Sequence, residues 1–200
     1  MSTLLLIPDP RLAQKAVQNI LIQLGTILPW ISHAYGLVQT GQRVVDKKTY
    51  LYPQLYRQDG SPYFLDLRPD QGMQAMAFFE RNGPSTVEWD EGAMNIAGTW
   101  RHPVAMVVWC HLPAIDPRRR YDFSDELAAD VLRALTSIGL DIETIEQRAE
   151  QVFARYRLQL ADQQLLMYPF AGFRIPMVLT DRYSPCAAPF QRLPDPNTDA

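Results

Sequence analysis

"VAMVVWC", residues 104–110, is an unbroken apolar run of strand length. A strand that buries only one face alternates apolar and polar residues, whereas a continuous run is expected of a central strand covered on both faces. The run therefore predicts that Val107 and Val108, which point to opposite sides, are both buried. Upstream, residues 36–112 read mainly as β. "QRVVDKKTYLYPQLYRQ" (42–58) is rich in β-branched and aromatic residues, and "DGS" (59–61) marks a turn before "PYFLDL". "AMAFFERNGPSTVEW" (75–89) continues the pattern with a break at "NGP" (82–84), and "DEG" (90–92) supplies another turn.

Downstream the period changes. In "RRRYDFSDELAADVLRALTSIGL" (118–140), Leu127, Val131, Leu135 and Ile138 repeat at helical spacing. Ser124 is the expected N-cap, Asp125 and Glu126 favour the first turn, and Gly139 is the expected stop. Asp141 is placed to cap a second helix carrying Ile145, Ala149, Val152, Phe153 and Tyr156. Near the N-terminus, Asp9 and Pro10 form a helix start, Leu12, Ala16, Val17, Ile20 and Leu24 share a face, and Gly25 is the expected C′ residue. The layout predicts an α+β fold: an N-terminal helix, an antiparallel β-meander, a two-helix layer and a closing edge strand. Residues 1–186 are expected to form one domain and 187–200 a flexible, Pro-rich tail.

The closing strand lies in "GFRIPMVLTDRYSPC" (172–186). Phe173, Ile175, Met177 and Leu179 face one way, and Arg174, Thr180 and Arg182 the other. Pro176 interrupts it. Proline cannot donate to a ladder, so it belongs on a sheet edge or at a bulge.

A net charge of −3 argues against a chain that coats nucleic acid, which needs clustered cations. The two cysteines, Cys110 and Cys186, are too few for a disulfide framework and suit a reducing cytoplasm. The N-terminal "MSTLLLIPDP" lacks a basic n-region, so no signal peptide is expected, and no run is long enough to span a membrane. The expected location is the cytoplasm.

Chemistry is hard to place. His33, His102 and His111 have no partners at metal-ligand spacing, and Cys110 and His111, adjacent on a strand, point apart. "RPD" (68–70) followed by "VEWDEG" (87–92) has the acidic spacing of Mg-dependent nucleases, but no lysine follows Lys48. Phosphate-cradling and nucleophile-elbow motifs are absent. No catalytic residue, cofactor or metal is expected. The aromatic stripe of Tyr50, Tyr52 and Tyr56 reads as a core or interface strand. Arg118, Arg119 and Arg120 form a basic cluster suited to an acidic partner.

Taken together, "LYPQLY" (51–56), "DGSPYFLDLRPD" (59–70), "FFERNG" (78–83), "HPVAMVVWCHL" (102–112) and "YPFAGFRIPMVLTDRYSPC" (168–186) resemble a group of prophage-encoded proteins. The element order over residues 10–186 is similar to that of phage tail terminator (tail completion) proteins. The resemblance rests on order and texture, without a diagnostic motif, and transfers no functional residue. It implies a non-enzymatic subunit that assembles with itself into a ring on the last tail-tube ring and stops tube growth. Its partners are then tail-tube and head-connector proteins, with no membrane and no specific nucleic acid, and its destination is the virion tail. Another head-completion or neck subunit, or a small enzyme with an unrecognised site, are the alternatives. On the assembly reading Arg174, Pro176 and Arg182 on the closing edge, with Arg118, Arg119 and Arg120, are the candidate contacts.

Overall fold

A computed structural model describes residues 3–5, 13–56, 64–69, 72–89, 98–157 and 166–183. The expected cap at Asp9–Pro10, Leu12, the turns at 59–61 and 90–92, Cys186 and the 187–200 tail lie outside them. The fold is α+β, with an N-terminal helix and a closing edge strand.

The organising element is β8 (Gly98–His111), which contains the apolar run and extends it by several residues toward the N-terminus. One of its edges pairs along its whole length with β9 (Phe170–Tyr183). The other pairs first with β7 (Thr86–Trp89) and then with β6 (Ala75–Arg81), both antiparallel. Between these two, residues 82–85 bulge out of the ladder opposite Pro103. The proline's carbonyl accepts from the Asn82 N–H (2.9 Å), and its missing donor falls where pairing is already broken. The sheet is completed on the β6 side by β2 (His33–Leu37) and β1 (Thr3–Leu5), both parallel to β6. The expected meander is thus antiparallel only in part. A separate antiparallel sheet comprises β3 (Gln39–Val45), β4 (Lys48–Tyr56) and β5 (Phe64–Asp66).

Alternation sorts the core into two layers. Ala77, Phe79, Met106, Val108, Phe173 and Ile175 face α1 (Ala13–Ile27) and α3 (Ser124–Ser137). Met76, Phe78, Val107 and Trp109 face the base of the small sheet and residues 152–156. Val107 and Val108 are both fully buried.

The helix layer differs from the sequence expectation. It pairs α1 with α3, because residues 139–148 are not helical and helix resumes only as α4 (Ala149–Val152). The apolar residues read there as one helical face serve both layers: Ile145 packs with α1 and α3, whereas Val152, Phe153 and Tyr156 pack on the opposite face of the sheet. A rigid helix could not supply both, so the chain crosses the edge of β9 without helical structure. Gly25 lies inside α1, which continues until Pro29 blocks the next turn. Phe123, rather than Ser124, is the N-cap of α3, and the Asp122 carboxylate accepts from the Ser124 N–H (2.9 Å). Gly139 does end α3: its N–H donates to Thr136 O, the Leu140 N–H donates to Leu135 O, and its φ is +85°. A short helix, α2 (Leu112–Ile115), follows β8 directly.

Candidate assembly interface

β9 is the sheet's terminal strand, so half of its backbone groups point away from β8. The phase of that alternation is fixed by Arg174, whose N–H and C=O exchange hydrogen bonds with Glu146 (both 2.8 Å) on the side away from β8. Pro176, Val178, Thr180 and Arg182 share its parity and also face outward. At Pro176 the outward donor is missing, which is where an edge strand accommodates proline. Among the described residues, Val178, Thr180 and Arg182 make no outward backbone hydrogen bond.

This open stretch lines a groove of about 640 Å³. Its inner wall is α1, through Asn19 and Gln23, and its outer wall is the crossing segment with Leu140, Asp141 and Glu143. Asp141, Glu143, Val178 and Thr180 are exposed. Arg101, the cation in the lining, is paired with Glu88 (2.9 Å).

Arg174 corrects the sequence reading. It was expected on an exposed polar face with Thr180 and Arg182, but it is only 6% exposed. Its Nε donates to Glu80 Oε1 (3.0 Å), Nη1 to Glu146 Oε2 (2.6 Å) and Nη2 to Asn82 Oδ1 (2.6 Å). Burial alone depresses the guanidinium pKa, but the hydrogen bonds it donates to the Glu146 and Glu80 carboxylates outweigh it and hold the pKa above its ordinary value. Tyr156 lies against the same group, and burial together with the Glu80 charge pushes its phenol well above the usual range. Arg174 therefore belongs to the core and not to the contact surface. Glu80 itself was legible: within "AMAFFER" its parity places it beside Met76 and Phe78 on an inward face.

The other candidates divide. Arg182 is exposed and Pro176 half-buried. Arg119 is committed locally, pairing with Glu126 and Asp116 (3.4 Å) while its guanidinium lies 5.0 Å from the Phe123 ring centre. Arg118 and Arg120 are exposed in the connection between α2 and α3. The arginine cluster thus sits in that loop, separate in the fold from the β9 edge.

Sequence reasoning missed a second exposed edge. β3 and β4 form a ribbon whose far half is exposed on both faces at Gln42, Arg43, Val44, Lys48 and Thr49. Its base is anchored by Tyr52, fully buried with Arg68 above its ring (4.3 Å), and by Leu55 in the second core layer. Asp46 and Lys47, both at positive φ (50° and 62°), make the tight turn at the tip. The signal was the pair of lysines after "VVD", which a solvated turn would tolerate equally well.

Cys110 is buried, and its thiol is pushed up to about 12, chiefly by burial. Among the described residues, no group of three or more His, Cys, Asp and Glu side chains is arranged to hold a metal. No described helix is long and apolar enough to cross a membrane. The chain matches no protein-family model and no curated protein.

Proposed function

We propose that this chain is a structural subunit of a phage-like tail, a ring-forming tail terminator at the head-proximal end, working through backbone and surface contacts between copies. The observation that carries the reading is the outer edge of β9 at Val178, Thr180 and Arg182, open among the described residues, set in a groove and preceded by Pro176. Unpaired strand edges invite pairing with another chain, and proteins that do not use them usually blunt them. Here the first part of the edge is blunted by Glu146 and Pro176, and the rest is left accessible. The resemblance of element order to tail terminators supplies the biological setting.

The test is Thr180→Pro. The substitution removes one outward donor that makes no described bond in the monomer, so thermal unfolding should shift little. Light scattering across a concentration series, with electron microscopy for rings, should show an oligomer for the parent and a monomer for the variant. A parent that stays monomeric throughout would sink the proposal. A variant that assembles like the parent would move the contact elsewhere on the surface.

A further inference from the structure

We infer that the β3–β4 arm of one copy enters the groove of the next and adds β3 to the outer edge of β9. The inference rests on the assembly reading above and names the surfaces that meet.

Among the described residues, both partners are unpaired edges of matching length. On β4, the Leu51 N–H and C=O exchange hydrogen bonds with Arg157, away from β3, and the Pro53 carbonyl accepts from Leu67. Their β3 partners in register, Gln42 and Thr40, therefore point their own backbone groups outward, as does Val44 by parity. Among the described residues, Thr40, Gln42 and Val44 make no outward backbone hydrogen bond. No proline interrupts β3. Thr40, Gln42 and Val44 can thus meet Val178, Thr180 and Arg182 one for one.

Shape selects this pairing over a two-fold one. The β9 edge lines its groove together with α1 and residues 140–143, so a second copy of that edge would bring its own walls with it. A narrow ribbon exposed on both faces can reach in. The contact also covers apolar surface that the monomer leaves open, since Val44 is 64% and Val178 41% exposed.

Charge agrees. The arm tip carries Lys47 and Lys48 against the single carboxylate of Asp46, and Arg43 beside them is paired with Asp66 (3.8 Å), whereas the outer wall of the groove carries Asp141 and Glu143. Two like charges lie near the path: Arg101 in the lining, which is paired with Glu88 (2.9 Å), and Arg182, which lies beyond the residues that line the groove. A contact between different surfaces of identical chains is head-to-tail, and it yields a ring when the rotation closes.

Gln42 and Thr180 are the middle members of the two sets, so they face each other directly when the strands pair antiparallel, as two partner-facing residues do. Chains carrying Gln42→Cys and chains carrying Thr180→Cys, each with Cys186→Ser, are co-expressed and treated with a short bis-maleimide. The expected result is a covalent pair in the mixture and none from either variant alone. A pair formed by Thr180→Cys alone would mean two-fold pairing of β9 and overturn the inference. Oligomers by light scattering without a cross-link in the mixture would overturn it too, while leaving the assembly reading standing. Monomers throughout would remove both. As a second readout, Lys47→Glu with Lys48→Glu should weaken association by roughly tenfold or more, because like charges then face each other. Asp141→Lys with Glu143→Lys should restore it, and failure of that rescue counts against the pairing.

Discussion

Arg174 on β9 reaches over Ala105 of β8 to Glu80 on β6, where Nε meets Oε1 at 3.0 Å with both side chains almost wholly buried. The guanidinium also holds Asn82 in the bulge and Glu146 in the crossing segment, so one side chain ties together elements far apart in sequence. Removing one partner of a buried pair strands the other, and Arg174→Ala should cost about 3–5 kcal/mol. Glu146→Ala should cost less, since that carboxylate is partly exposed and screened by water. Denaturant unfolding of the two variants checks the order, and an Arg174→Ala midpoint equal to the parent's would refute it.

Carboxylates placed on the two faces of β8 should behave differently. Val108 lies between Ala77 and Phe173 in the layer facing α1 and α3, where an aspartate meets only apolar groups. Val108→Asp should destabilise by several kcal/mol (about 3 or more) or prevent folding. Val107 is in register with Arg174, whose guanidinium is a ready partner, so Val107→Asp should be the milder change. Equal losses in the two melting curves would contradict this layering.

Stability should fall as the solution is acidified through the histidine range. His102 is 3% exposed, stacks on Trp100 (5.7 Å between ring centres) and shares a 2.8 Å hydrogen bond between Nδ1 and Ser85 Oγ. Burial lowers its pKa first, Arg81 lowers it further, and Asp181 opposes them. The unfolded chain therefore binds the proton more readily, and its stabilising share is present above the ordinary histidine pKa of about 6.5 and lost below it. His102→Gln should flatten the dependence of melting temperature on pH between neutral and mildly acidic solution. An unchanged slope would assign that dependence to other groups.

Gly139 closes α3 in a left-handed conformation with open space where a Cβ would stand. Gly139→Ala should therefore cost only the conformational penalty, about 1 kcal/mol, with the oligomeric state unaltered. Calorimetry of the variant measures it directly, and a loss of several kcal/mol would mean that the crossing segment repacks.

The parts legible in the sequence are those with local signatures. The two-sided burial of β8 followed from an apolar run, and the helical face of α3 from its spacing and Gly139. Pro176 signalled an edge, and the outward phase of β9 is the geometry it required. Arg174 was misread because parity places a side chain on a face but does not say what covers that face. The covers were Glu80, Asn82 and Glu146, brought in by pairing across β8 and by a segment expected to be helical. The parallel pairing of β2 with β6 was equally hidden, since no short-range pattern encodes which distant strand a strand will join.

The outer edge of β9 also has a consequence for the fidelity of copying. A bare edge is a template without a first letter: an incoming strand can settle in any phase two residues from the last. Glu146 fills the place opposite Arg174, and Pro176 offers no donor, so a ladder slid toward the start of β9 loses bonds immediately. Val178 becomes the first readable position. A guest strand must be short and begin there, so long, promiscuous sheets that would turn an assembly into an aggregate gain little from this surface.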